Sequence, residues 1–317
     1  MTNCRERVNY GERGSATIIS LVVVGVAAVL LIGLIWRQDI EARTLQNNRD
    51  RIQALWLNRS AIDFSRLVLS EDSRTSQYDW LGEPWALPLG QSKIDDFLKD
   101  QDIPDEIQGA SLLGGLTDAQ GLFNLTNLWD ADFKKINPSG VAAFGRLLNA
   151  LGMDAGLATQ LAQEMLSRGL PLTSLGDLEG INGITAGMID NLRLYVCILP
   201  ILTPTNVNTA SAPVLMAAIP NLSLGAANQL VQQRTYAPFK TTSDVVAALN
   251  RISVNQSSGI DLSGLDVKSQ FWLARTEVHL GRGVFNGEAL IQRSSTPLPT
   301  GELTQVIWNK SSRTLSE

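Results

Sequence analysis

A chain of 317 residues and 34.4 kDa has room for one large domain or two small ones, and its 44% hydrophobic content excludes general disorder. Its net charge of −5 and pI near 5.1 argue against a nucleic-acid coat, which needs clustered positive charge to displace counterions. Two cysteines, Cys4 and Cys197, with the single histidine His279, cannot build a disulfide framework or a Cys/His zinc site.

From Ser15 to Trp36 the chain reads SATIISLVVVGVAAVLLIGLIW, with no charged residue. As a helix this run is about 33 Å long, enough to cross a bilayer core. A cleaved secretory signal would end in a small-x-small site after the apolar run. Here the run ends Gly33-Leu34-Ile35-Trp36-Arg37, which offers none. Arg5, Arg7 and Arg13 favour a cytoplasmic N-terminus by the positive-inside rule, a weak bias because Arg37 and Arg43 lie on the other side.

Helical pattern continues past the apolar run. Between Arg37 and Ser70 there is neither glycine nor proline, and apolar residues recur at Ile40, Leu45, Ile52, Leu55, Trp56, Ile62, Leu67 and Val68. The spacing predicts one helix from about Ser15 to Leu69, roughly 80 Å long, half in lipid and half carrying a stripe for partners or for its own domain.

Arg13-Gly14 directly before the apolar run resembles a type IV prepilin processing site. The resemblance implies cleavage after Gly14 by a membrane peptidase and methylation of Ser15. A cut before the run leaves the anchor intact. Such proteins carry Glu at the fifth mature position, and this chain has Ile19. The minor pseudopilin K family of type II secretion systems characteristically lacks that glutamate.

Further segments are similar to the same family. They are Gly82-Glu83-Pro84-Trp85 with Pro88-Leu89, the stretch Thr117 to Leu128 reading TDAQGLFNLTNL, and Leu199-Pro200 followed by Thr203 to Ala210 reading TPTNVNTA. In this order behind a prepilin-type terminus, they identify the chain as resembling the pseudopilin K family.

The central region reads as helical and internally repeated. Ala158 to Gln163 echoes Ala227 to Gln232 at an offset of 69, after the apolar helices Val141–Leu151 and Ala212–Ile219. Each copy precedes an acidic-start helix signal, at Ser174–Leu178 or Thr242–Val245. The pattern predicts two related helical hairpin units, about 122–198 and 205–260. Beyond them, Phe271–Leu280 alternates as a strand, Gly281-Arg282-Gly283 can turn, Val284–Arg293 returns, and Gln305–Trp308 adds a third strand.

Candidate chemical sites are few. The stretch around Pro220-Asn221-Leu222 resembles a helix-hairpin-helix DNA module, but the phosphate-gripping glycines are missing and the nearby basic residues are Arg234, Lys240 and Arg251. Asp95, Asp96, Asp100, Asp102, Asp105 and Glu106 could supply acid–base chemistry or calcium ligands, though a solvated acidic surface is the commoner explanation. His279 reads as a structural or surface histidine, and Cys197 as a small buried hydrophobe. No nucleotide-binding or metalloprotease motif is present. The resemblance also raises calcium, held by an acidic loop in some family members. Asp130, Asp132 and Asp154 are too scattered to match it, so the metal site is unknown and no other cofactor is expected.

The expected fold is α+β: a long N-terminal transmembrane helix, a pilin-like domain with an antiparallel sheet, and a large inserted all-α domain. The divisions are a leader at 1–14, a transmembrane helix at 15–36, its amphipathic continuation at 37–72, a sheet domain from 73–121 and 261–317, and the insertion at 122–260. The expected role is non-enzymatic, with no catalytic residue: a minor pseudopilin supporting export across the outer membrane, at the filament tip by resemblance. Its expected partners are minor pseudopilins I and J, the prepilin peptidase and the bacterial inner membrane, with no nucleic acid. Its domain is expected in the periplasm. The alternatives are a membrane-anchored DNA-binding protein of competence type and a periplasmic hydrolase using the acidic cluster.

Overall fold

The structure is a computed structural model that describes residues 12–93, 107, 109–130, 134–252, 263–281, 283–298 and 301–315. The chain divides into two compact units, 1–54 and 55–317.

Helix α1 runs Glu12–Thr75 as one element of 64 residues, starting before and ending beyond the expected limits. In the first unit its side chains from Ile18 to Trp36 are exposed, although an 18-residue window there reaches a mean hydropathy of 3.1. Among the described residues this is the one helix long and apolar enough to span a bilayer. The Ser20 hydroxyl donates back to the Ala16 carbonyl at 2.6 Å, which satisfies a polar group inside the apolar run. Past Trp36 the surface turns charged, with ion pairs between Arg37 and Glu41 and between Arg43 and Asp39 at i,i+4 spacing.

The second unit holds a five-stranded antiparallel sheet. Its strands are β1 (Leu89–Lys93), β2 (Ser111–Asp118), β9 (Phe271–Leu280), β10 (Gly283–Arg293) and β11 (Thr304–Leu315), in that spatial order. The third strand of the C-terminal meander is thus much longer than the expected Gln305–Trp308 segment. Residues 119–270 lie between the adjacent strands β2 and β9, so the sheet joins parts of the chain far apart in sequence.

One sheet face packs on the last turns of α1. Asn58, Ala61, Ile62 and Leu69 are buried at i, i+3, i+4 and i+11, the spacing that lines one helix face. Ile62 and Leu69 meet Trp85, Trp272, Ala274, Ala289 and Ile291 in one cluster. Trp85 sits edge-on to Trp272 with ring centroids 6.1 Å apart. The approach is closest at Gly287, where an added Cβ would stand 2.4 Å from the Thr276 hydroxyl and 3.1 Å from Asn58. On the opposite helix side Trp56, Phe64 and Leu67 remain exposed.

The segment between β2 and β9 is mostly helical and falls into two sections of like construction. The first opens with β3 (Phe123–Asn124), whose parallel partner is β6 (Val196–Cys197). Between them lie the short antiparallel pair β4 (Trp129–Asp130) and β5 (Lys135–Ile136), then α2 (Pro138–Ala150), α3 (Gly156–Arg168) and α4 (Ala186–Leu192). The second opens with β7 (Thr205–Asn206), paired in parallel with β8 (Leu265–Asp266), and encloses α5 (Ala212–Ala218), α6 (Leu224–Tyr236) and α7 (Thr242–Arg251).

The turns of the two sections correspond in detail. Gly152 between α2 and α3 has φ 74°, and Asn221 between α5 and α6 has φ 58°. These positions are separated by the same offset as the sequence echo. Asparagine tolerates the left-handed region better than other side chains, which lets it stand where its counterpart is glycine. Each section also carries a reciprocal cap, Ser174 with Asp177 and Thr241 with Asp244. The pairing of β7 with β8 extends the second section to Asp266, past the 260 boundary expected from sequence. One apolar cluster serves both sections, from Phe123, Phe144 and Leu161 to Leu215, Leu230 and Leu249.

Candidate functional site at the junction of helical region and sheet

Where the helical region leaves the sheet, the polar residues of the two family-like stretches converge. Asp118, the last residue of β2, is 3% exposed. Its Oδ2 accepts hydrogen bonds from Asn206 Nδ2 at 2.9 Å, Thr209 Oγ1 at 2.6 Å and Ser269 Oγ at 2.7 Å. Its Oδ1 accepts the Gln120 amide at 2.8 Å. The Gln120 side chain in turn donates to the Pro204 carbonyl and accepts the Gln270 amide. Gly121 leaves room for Thr209, whose hydroxyl would lie 2.8 Å from an added Cβ.

The asparagines act as backbone clamps. Asn124 Oδ1 accepts the Thr126 and Leu199 amides, while its Nδ2 donates to the Ile201 carbonyl. Asn127 pairs with both the amide and the carbonyl of Thr203. Asn208 does the same with Phe239. Buried backbone groups in irregular segments need such partners. The residue types of these stretches are therefore explained by construction.

A charged layer adjoins this junction. Arg293, at the end of β10, donates through Nη1 to Asp72 on α1 and through Nη2 to both oxygens of Asp79 at 2.6 Å, and it stacks 4.1 Å from the Trp272 ring. Asp79 Oδ2 accepts the Ser269 amide at 2.6 Å, and Glu83 Oε2 accepts Trp85 Nε1 at 2.7 Å. Burial first, then the Glu83 and Asp79 charges, push Asp72 up to about 6 against the pull of Arg293. Burial pushes Asp118 up to about 6 as well, against the hydrogen bonds of Thr209 and Ser269. Oxygens of Asp72, Asp79 and Glu83 lie within 4.8 Å of one another, but the Arg293 guanidinium already pairs with Asp72 and Asp79, and Glu83 accepts from the Trp80 amide and the Trp85 indole.

Residues singled out from sequence fall elsewhere. Gly14 and Ser15 lie in the backbone of α1, and Ile19 is exposed on the same helix. Asp95, Asp96, Asp100, Asp102, Asp105, Glu106 and Asp132 lie outside the described residues, as do Cys4, Arg5 and Arg7. Asp154 accepts the Gly156 amide at 2.9 Å, a local turn contact, and neither it nor Asp130 belongs to a three-ligand cluster among the described residues. His279 Nε2 lies 2.5 Å from Glu277 Oε1 on a partly exposed strand surface.

Cys197 is buried and donates its thiol to the Ala119 carbonyl at 3.1 Å, with its pKa pushed upward by burial and by Asp118. Arg234 is also buried and donates to the Val207 carbonyl, so it presents no charge to a phosphate backbone. The DNA-binding alternative thereby loses one of its three basic residues. Sequence reasoning missed Asp72, Asp79, Ser269 and Arg293. The carboxylate contacts that join them span 151 to 221 positions, and no local spacing marks them.

Comparison with known proteins gives a consistent picture. Two family models, both described as Type II secretion system (T2SS), protein K, match residues 121–201 and 205–268. These are the two helical sections. Proteins described as "Type II secretion system protein K" are similar over most of the chain. The one from Pseudomonas aeruginosa is 28% identical over 304 residues, 86% of either chain. The one from Klebsiella pneumoniae is 24% identical over 322 residues, 90% of this chain and 94% of that one. In the crystal structure of the GspK-GspI-GspJ complex from enterotoxigenic Escherichia coli, one chain shares the fold with a TM-score of 0.66 at 20% identity, covering 84% of this chain and 99% of that one.

Proposed function

We propose that this chain is a minor pseudopilin of the type II secretion system protein K family that stands at the tip of the periplasmic pseudopilus and supports protein export across the outer membrane. The observation that carries this reading is α1. One helix joins a run of membrane-spanning length to a stretch whose inner face holds the sheet and whose outer face leaves Trp56, Phe64 and Leu67 exposed. Such a stripe suits lateral packing against other long helices. The solved complex that contains the structural neighbour suggests minor pseudopilins I and J as those partners.

The tip position rests on Ile19 and on the helical region. A carboxylate inside a lipid segment is costly unless paired, and a pilin glutamate finds that pair in a neighbour's N-terminal amine. A subunit with Ile19 forgoes this contact with a subunit above it. The residues between β2 and β9 add bulk beyond the sheet, which a terminal subunit accommodates most easily. Processing after Gly14 with methylation of Ser15, a cytoplasmic N-terminus and a periplasmic domain complete the proposal. The role needs no catalytic residue and no cofactor, and no calcium ligand is assigned.

Co-purification tests the partner assignment. Trp56→Glu and Leu67→Glu, on the exposed face, are expected to abolish capture of pseudopilins I and J while leaving the fold intact by circular dichroism. Full capture by both variants would contradict the assignment.

A further inference from the structure

The junction gathers four carboxylates and one guanidinium among the described residues: Arg293 pairs with Asp72 and Asp79, Glu83 has an oxygen within 4.8 Å of theirs, and Asp118 is joined to Asp79 through Ser269, whose amide donates to Asp79 and whose hydroxyl donates to Asp118. Asp72 comes from α1, Asp79 and Glu83 from the segment after it, Asp118 from β2 and Arg293 from β10. Asn206, Thr209, Ser269 and Gln120 contribute neutral donors, and Cys197 an uncharged thiol. With every carboxylate ionised, the cluster holds an excess of negative charge away from water, which is costly.

The hydrogen bonds around Asp118 can absorb a proton without leaving a donor stranded. Two of its four donors are hydroxyls, which can turn to accept. Thr209 already has a second acceptor in reach, the Asn206 carbonyl at 3.5 Å. The remaining donors, the Gln120 amide and Asn206 Nδ2, bond to different oxygens of the carboxyl group.

We propose that this cluster is a proton-operated latch: proton uptake at Asp118 and Asp72 fastens the helical region to the sheet, and proton release loosens it. Burial and neighbouring like charges raise both groups to about 6, so the sign follows directly. A raised folded-state value means that the stabilisation is complete below the ordinary carboxylate range and is lost as pH rises through about 6. The latch lies at the base of the helical region, where Asn206, Thr209 and Ser269 meet the end of β2. A pH change would therefore alter how firmly that region is held without disturbing the strand pairs beyond it.

The test is hydrogen exchange on the full chain in detergent, from pH 5 to 8, corrected for intrinsic exchange rates. Amides of 205–210 and 267–270 are expected to be at least about tenfold less protected at pH 8 than at pH 5, the effect of one pKa unit of coupling. Amides pairing β9 with β10 serve as the control and are expected to hold steady. Asp118→Asn and Asp72→Asn are each expected to flatten part of this dependence. Side-chain carboxyl ¹³C titration of the unmodified protein provides a reading independent of any variant, with Asp118 and Asp72 expected to titrate near 6. Equal or greater junction protection at pH 8, or titration of both groups below about 4.5, overturns the proposal.

Discussion

Asn206 Nδ2 and Asp118 Oδ2, 88 positions apart in the chain, meet at 2.9 Å and tie the second helical section to the end of β2. The same amide reaches Ser269 Oγ and the Asp79 carbonyl, while Asn206 Oδ1 accepts the Asn208 amide. Truncating this side chain strands buried partners on three segments. Asn206→Ala is expected to cost about 1–3 kcal/mol, measured by urea unfolding of the domain. A change within a few tenths of that scale would mean that the contact is not maintained in solution.

Arg293 is the cation of the charged layer, and its side chain is 2% exposed. Arg293→Met removes the positive partner of Asp72 and Asp79 while keeping much of the packing on Trp272. Breaking a buried pair in this way costs about 3–5 kcal/mol. The loss is expected to be smaller at pH 5 than at pH 8, because Asp72 takes up a proton as pH falls through about 6. Unfolding curves at the two pH values check both the size and the direction.

Gly287 allows the close passage of α1 over the sheet. A methyl group there meets the Thr276 hydroxyl and Asn58, which are themselves joined by a 2.6 Å hydrogen bond. Gly287→Ala is expected to destabilise by about 1–3 kcal/mol through overpacking. Thermal unfolding of this single variant suffices, since no charge or exposed surface changes.

The two hairpin turns make opposite predictions. Gly152→Ala forces a Cβ into the left-handed region at φ 74° and is expected to cost about 1–2 kcal/mol. Asn221→Gly removes a side chain from a turn already at φ 58° and is expected to be nearly neutral. Reversed effects would show that the corresponding turns differ in what holds them.

Periodicity made much of the fold legible. The alternation of Phe271–Leu280 marked a strand with one buried face, and the apolar spacing after Arg37 marked the long helix. The echo between Ala158 and Ala227 marked two sections whose turns and caps do correspond. The parallel two-residue strand pairs that open and close each section left no trace, because a pair this short has no period to read. Asp118, Asn206 and Asn208 were visible as members of family-like stretches, but sequence alone did not show that they bond to one another and to backbone. Arg293 and Asp79 were not visible at all. Their pairing depends on the closure of the sheet around residues 119–270, a tertiary event with no local signature.

The central claim is that α1 belongs to a processed filament subunit, and intact mass of the mature chain tests it most directly. Protein isolated from membranes of cells carrying the prepilin peptidase is expected to begin at a methylated Ser15, with the whole apolar run retained. A chain that still begins at Met1, or one cut beyond Trp36, would contradict the account.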